Sequence, residues 1–305
     1  MQTKIPKEIL NTYAGEKADK ILRSCVHCGF CIATCPTYQL LGDELDSPRG
    51  RIYLIKQMLE GKVPTRKTLT HLDRCLTCRS CESTCPSGVQ YAQLLDIGRK
   101  VAEDNTRRPI LDRIKRNILH WLLSNPARFK WLYNLGCRLN PLLPEQFRLA
   151  QGELSDKLFK AKKHTRKVLL LQGCVQPTLQ PNINLATEKV LDHIGIEVTI
   201  LNQIECCGAI SHHLNKHKQA QATFRHNIDA WWPYINDGYE AIVSNASGCG
   251  ITLKDYPNYL EHDPEYADKA KKISSLVKDV SEIISESEIT KLKQVKNTKV
   301  AFHAP

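Results

Sequence analysis

No run of apolar residues in this 305-residue chain approaches the roughly 18 that a membrane-spanning helix needs. The longest apolar pieces, such as Ile118–Leu123 and Val168–Leu171, are far shorter, so the chain reads as soluble or peripherally attached. No Gly-x-Gly-x-x-Gly follows a strand-like segment, and with that fingerprint goes any legible site for a flavin or a nicotinamide dinucleotide. The chain therefore has no evident hydride acceptor of its own and needs a partner for such chemistry. Met1 opens no secretory signal peptide, so the 13 cysteines are expected in a reducing, cytoplasmic setting where disulfides are rare. No recognisable nucleic-acid-binding motif is present, which counts against a nucleic-acid-binding role despite the net charge of +11.

What the chain does have is a doubled cysteine pattern. Cys25-x-x-Cys28-x-x-Cys31-x-x-x-Cys35-Pro36 recurs with identical spacing as Cys75-x-x-Cys78-x-x-Cys81-x-x-x-Cys85-Pro86. A cubane cluster needs four thiolates at tetrahedral corners. Three cysteines at this spacing wrap three corners in one tight turn, and in two-cluster ferredoxins the fourth, ahead of its proline, ligates the other cluster. The spacing thus predicts one [4Fe–4S] cluster held by Cys25, Cys28, Cys31 and Cys85, and a second held by Cys75, Cys78, Cys81 and Cys35. Pro36 and Pro86 bias the cysteines before them away from helical backbone, turning the chain off after its last ligand. Structural zinc is the competing reading, but zinc takes paired knuckles and four ligands per ion, and two runs of four with Cys-Pro endings suit iron–sulfur better. Arg74 and Arg79 flank ligands of the second motif and His27 sits inside the first. Positive charge there stabilises a reduced cluster.

The charge is uneven. Between Arg107 and Lys167 stand 15 Lys and Arg against 4 Asp and Glu, which is the whole excess. Three segments follow: residues 1–100 as a helical ferredoxin unit, 101–165 as a basic helical connector, and 166–305 as an α/β domain. In the first, Ser47-Pro48 reads as an N-cap with proline at the first helical position, and Ile52, Ile55, Met58 and Leu59 keep helical spacing. A second helix is expected over Tyr91–Val101. In the connector, Ile110, Ile114, Ile118, Trp121 and Leu122 make an apolar face surrounded by Arg107, Arg108, Arg113, Lys115 and Arg116. Such a helix packs domains together or lies on an anionic surface, here the inner face of the cytoplasmic membrane.

From Lys167 the pattern becomes β-α-β-α-β-α-β: strands over Val168–Leu171, Ile196–Leu201, Ala241–Ser244 and Val300–His303, and helices over Asn182–Ile194, Ala209–Tyr234 and Asp263–Lys293. A parallel sheet with right-handed crossovers is expected. Cys174, Cys206, Cys207 and Cys249 each follow one of the first three strands, where sites gather in open parallel sheets. A metal centre on these four thiols, a reduced structural site and four separate buried cysteines all remain open. Cys137, alone in the connector, reads as a small buried hydrophobe.

These pieces carry a resemblance. Residues 1–100 resemble the helical ferredoxin domain of succinate dehydrogenase and fumarate reductase iron–sulfur subunits, and residues 166–305 resemble the cysteine-rich CCG domain of heterodisulfide reductases. In some of those a noncubane cluster uses a fifth cysteine, where this chain has Thr252. With Ser47-Pro-Arg-Gly-Arg-Ile-Tyr53, Leu72-Asp-Arg-Cys-Leu-Thr-Cys-Arg-Ser-Cys81 and Asn245-Ala-Ser-Gly-Cys-Gly250, the whole chain resembles the glycolate oxidase iron–sulfur subunits. The resemblance implies FAD-containing partner subunits that oxidise glycolate to glyoxylate, and electrons passing through this chain's clusters to a quinone or other acceptor. Subunits serving anaerobic glycerol-3-phosphate or lactate dehydrogenases share the same motifs. The segment Lys299–Pro305 echoes Lys167–Cys174 and stops where a second CCG repeat would place its first cysteine, so that repeat is expected to be cut off.

Overall fold

The computed structural model describes residues 1–142, 144–149, 159–204, 206–284, 289, 290, 292 and 299. Its contacts divide the chain into one unit over Met1–Arg113, with which Lys299 is grouped, and another over Ile114–Thr298.

The first unit is helical. Helices α1 (Tyr13–Ser24), α2 (Pro48–Leu59), α3 (Arg66–Asp73) and α4 (Tyr91–Asn105) enclose a core of Leu22, Ile55, Leu59, Leu72, Leu94 and Leu95. The two cysteine motifs fill the connections from α1 towards α2 and from α3 to α4, so both hang from one core. The Ser-Pro-Arg-Gly-Arg segment explains itself residue by residue. Ser47 Oγ accepts from the Gly50 amide at 2.9 Å, Pro48 opens the helix where no amide is needed, and Arg51 is turned wholly inward. Gly50 admits the Glu44 carbonyl, whose oxygen would lie 2.0 Å from a Cβ placed there. Gly50→Ala is expected to cost about 1–3 kcal/mol through overpacking against backbone that cannot swing aside. A lowered denaturation midpoint is the check.

The sequence pattern puts Arg108 on the solvated face of the connector helix. Instead it turns back and binds Asp73 at 2.6 Å, Glu103 at 2.9 Å and Asp112 at 3.2 Å, because three carboxylates converge where α4 ends. The connector holds helices α5 (Ile110–Leu123) and α6 (Pro126–Arg138), and Cys137 on α6 is buried. The α5 residues Ile110, Leu111, Ile114, Ile118 and Trp121 are all exposed. Among the described residues no helix is long and apolar enough to cross a membrane.

In the second unit, strands β1 (Arg166–Leu171), β2 (Ile196–Thr199), β3 (Ala241–Ser244) and β4 (Val277–Asp279) form one parallel sheet in the order β2-β1-β3-β4. Both faces are covered, as an all-parallel sheet requires. On one face Leu169, Leu171 and Ile242 pack with Phe224 and Trp231 of helix α8 (His217–Asn236); on the other Val168, Leu170 and Val243 pack with Leu191 of helix α7 (Pro181–His193).

Two sequence expectations fail here. The helix expected over Asp263–Lys293 stops at Leu276, since Val277 is drawn into the sheet beside Ile242 as β4. The β-branched valine meets an open sheet edge, and pairing there outweighs continued helix. The fourth strand is therefore Val277–Asp279. The expected strand Val300–His303 lies outside the described residues. The helix expected over Ala209–Tyr234 is broken between His213 and His217, where Asn215 takes left-handed backbone at φ 63°.

Candidate metal centres

The two cysteine motifs repeat in backbone conformation as well as spacing. His27 and Thr77, just before each second cysteine, have φ of 57° and 53°; Gly29 and Arg79, just after it, have φ of 88° and 61°. Left-handed backbone at these steps coils the loop so that successive thiols face one centre. It is costly for Thr77 and Arg79, at about 1–3 kcal/mol each, and such strain is retained where a site over-determines it.

Two cavities result. One is lined by Cys25, Cys28, Cys31 and Cys85, together with Cys81, His27, Arg49, Ile52 and Pro86. The other is lined by Cys35, Cys75, Cys78 and Cys81, together with Thr37, Arg51, Arg79 and Tyr91. Each motif's fourth cysteine thus lies with the first three of the other motif. Burial raises the Cys25 and Cys81 thiols and pushes Cys31 up to about 11, so a metal entering here must displace protons. The chemistry of the donor set fits a cubane. Four thiols line the second cavity and five the first, Cys81 reaching both, and the buried Nε2 of His27, at the wall of the first, has no hydrogen-bond partner. Among the described residues no three thiol sulfurs lie mutually within 4.8 Å, whereas one tetrahedral zinc with 2.3 Å bonds needs sulfurs about 3.8 Å apart.

The second cavity is backed by a buried polar network that sequence reading does not single out. Asp46, fully buried, accepts from Arg74 at 2.7 Å, pairs with His71 Nδ1 at 3.0 Å and meets Arg51 at 3.4 Å. Arg51 also donates to the His71 carbonyl at 2.7 Å and to Thr37 Oγ1 at 3.1 Å, and Thr37 lies 3.2 Å from Cys35 Sγ. The legible signals are the Ser47–Tyr53 segment and Arg74 beside Cys75; nothing in the spacing announces Thr37 or Tyr91.

The structure also brings Cys174, Cys206, Cys207 and Cys249 together. Order β2-β1-β3-β4 reverses direction between β1 and β3, and Cys174 and Cys249 follow those two strands at this switch point. The thiols form a chain of contacts. Hydrogen bonding with Cys206 holds Cys174 up and draws Cys206 down, and Cys207 is likewise held up by Cys206 and Cys249. The Gly208 amide donates to Cys206 Sγ at 3.3 Å. An amide cluster fixes the loops: Asn245 donates to Asn184 at 2.8 Å and Thr187 at 3.0 Å, and Gln176 donates to both asparagines. Gly208 has φ 86°, and a Cβ there would meet the Phe224 ring at 2.5 Å. Gly208→Ala is expected to cost about 2–4 kcal/mol, from the left-handed backbone and overpacking together, and to appear as a lower thermal midpoint.

Residues 21–89 match the family described as 4Fe-4S dicluster domain, and residues 168–254 match the cysteine-rich domain CCG. Fold and thiol sets together define a dicluster iron–sulfur protein with a cysteine-rich α/β domain. The chain is 53% identical over 310 residues to the glycolate oxidase iron-sulfur subunit of Escherichia coli (strain K12), spanning 100% of this chain and 75% of that one. It is 31% identical over 309 residues to the probable glycolate oxidase iron-sulfur subunit of Bacillus subtilis (strain 168), spanning 92% and 69%. It belongs to the family of glycolate oxidase iron–sulfur subunits, and so is an electron-transfer subunit of an oxidoreductase complex. A more distant relative is a dihydromethanophenazine:CoB–CoM heterodisulfide reductase subunit of Methanosarcina acetivorans, 25% identical over 312 residues, spanning 93% and 68%. No solved structure gives a significant match.

Proposed function

We propose that this chain relays electrons from a FAD-bearing partner that oxidises glycolate to glyoxylate, towards a quinone or another acceptor. The observation that carries the reading is the pairing of thiols into two adjacent four-thiol sites, whose linings share Cys81 and Tyr91. Cys25, Cys28, Cys31 and Cys85 would hold one [4Fe–4S] cluster, and Cys35, Cys75, Cys78 and Cys81 the other. Such clusters supply one-electron carriers that take a flavin's two electrons singly. The protein's part is to hold them close and to set their surroundings with Arg51, Tyr91 and His27. The test is turnover with a quinone analogue after the chain is combined with its co-purifying flavoprotein. Glycolate should support turnover and the chain alone should not. Turnover only with glycerol 3-phosphate or lactate would assign the chain to a sibling complex.

The basic, apolar-faced α5 suits peripheral contact with an anionic membrane on the cytoplasmic side, since Ile110, Leu111, Ile114 and Ile118 are exposed on a helix rich in Arg and Lys. Reversing Arg113, Lys115 and Arg116 to Glu should release the protein from anionic vesicles by tenfold or more, at about 1 kcal/mol per charge, with cluster content unchanged. Unchanged sedimentation with vesicles would refute the contact.

A further inference from the structure

The two four-thiol sites differ in what touches their sulfurs, and the difference is one-sided. At the second site, side-chain donors reach three of the four thiols. Tyr91 Oη donates to Cys75 Sγ at 3.6 Å, and Ser80 Oγ donates to Cys78 Sγ at 3.6 Å. Cys35 Sγ lies 3.2 Å from Thr37 Oγ1 and 4.0 Å from a guanidinium nitrogen of Arg51. The Thr37 hydroxyl donates to the Asp46 carbonyl at 2.8 Å; a thiolate bound to iron has no proton and only accepts, so Thr37 would then share or redirect its one hydrogen to Cys35. Tyr91 and Arg51 are buried, so these contacts act in a low dielectric where water does not screen them.

Among the described residues, the polar contacts to sulfur at the first site come from backbone, the His27 amide to Cys25 among them. Its wall is largely apolar, with Val26, Phe30, Ile52 and Val89. Arg49 lines it, but its Nε is paired with Glu44 at 2.8 Å, and the Met1 ammonium binds the Cys25 carbonyl at 2.6 Å rather than a sulfur. Charge does not separate the sites, since the Met1 ammonium and Arg49 act on Cys25 and Cys31 at the first while Arg51 and Arg74 stand against Asp46 and Glu82 at the second; the side-chain donors to sulfur do. Reduction adds one negative charge, and hydrogen bonds and positive charge at the sulfurs favour it.

We infer that the site of Cys35, Cys75, Cys78 and Cys81 has the higher reduction potential, so that the first electron entering the chain settles there and the site of Cys25, Cys28, Cys31 and Cys85 is the low-potential member. This rests on the cluster assignment above and adds the order of the two sites.

The test is a redox titration of the cluster-loaded full chain, followed by low-temperature EPR, in the wild type and in a Thr37→Val, Ser80→Ala double variant. Neither substitution removes a ligand; Ser80→Ala loses a hydroxyl donor, and Thr37→Val loses one together with an acceptor of Arg51. The higher of the two potentials should fall, with the reduced-to-oxidised ratio at fixed poise dropping about tenfold, which is 59 mV for one electron. The lower potential should not move. Tyr91→Phe alone should move the higher potential the same way. A fall confined to the lower potential, or no movement in either variant, would overturn the ordering while leaving the clusters in place. Absence of two reducible cubane signals in the wild type would overturn the cluster assignment and the ordering with it.

Discussion

Replacing Cys35 by Ala should strip iron from the site formed by the second motif and spare the one nearer in sequence. In the full chain loaded anaerobically, iron should fall from about eight to about four per molecule, since each cubane carries four. Cys85→Ala should give the mirror image. The reason is the crossed arrangement: Cys35 lines the cavity of Cys75, Cys78 and Cys81, and Cys85 lines that of Cys25, Cys28 and Cys31. The decisive comparison is the double variant Cys35→Ala with Cys75→Ala. Crossed ligation predicts that it loses no more iron than Cys35→Ala alone, because both residues serve one site. If each motif closed on its own cluster, the double variant would lose both.

The second large effect is expected at Asp46. Its carboxylate is completely buried and faces Arg51, whose side chain is 1% exposed. Removing the carboxylate strands a buried guanidinium, which typically costs about 3–5 kcal/mol. Asp46→Ala should therefore be among the most destabilising single changes in the first unit, although Asp46 is no ligand. The loss should appear as a large drop in the urea midpoint of the loaded protein. The effect should also depend on pH. Burial pushes the Asp46 carboxyl up, but hydrogen bonds from His71 and Arg74 outweigh it, and the group sits below its ordinary value. A depressed folded pKa gives stability that is present above the unfolded value, near about 3.9, and lost as pH falls through the folded one. The gap between wild type and Asp46→Ala should accordingly be full at neutral pH and narrow in acid below about pH 4. A gap that did not change with pH would mean that Asp46 acts by packing alone.

The legible parts of this protein are those where chemistry dictates spacing. Eight thiols in two Cys-Pro-ended runs announce two centres, and the structure gathers the same residues into two cavities. Ser47 and Pro48 announce the start of α2, short apolar runs announce β1 and β3, and alternation announces β2, because capping and core burial are local demands. Long-range demands are silent. Nothing local marks Val277 as a strand, since only the free edge of β3 makes it one. Asn215 breaks a helix that periodicity would carry through. Arg108 looks like one more surface charge until Asp73, 35 residues away, joins the nearby Glu103 and Asp112 around it. The polar backing of the second site is hidden for the same reason: Asp46, Arg51 and His71 are spread along 26 residues and become one network only when α2 and α3 pack together.

The most direct test of the relay is to mix the cluster-loaded chain anaerobically with its flavoprotein partner, add glycolate, and freeze the sample for EPR. Reduced cubane signals should appear in the complete mixture and should be absent when either the flavoprotein or glycolate is left out. Flavin reduction by glycolate in the assembled complex, with both clusters remaining oxidised, would contradict the account.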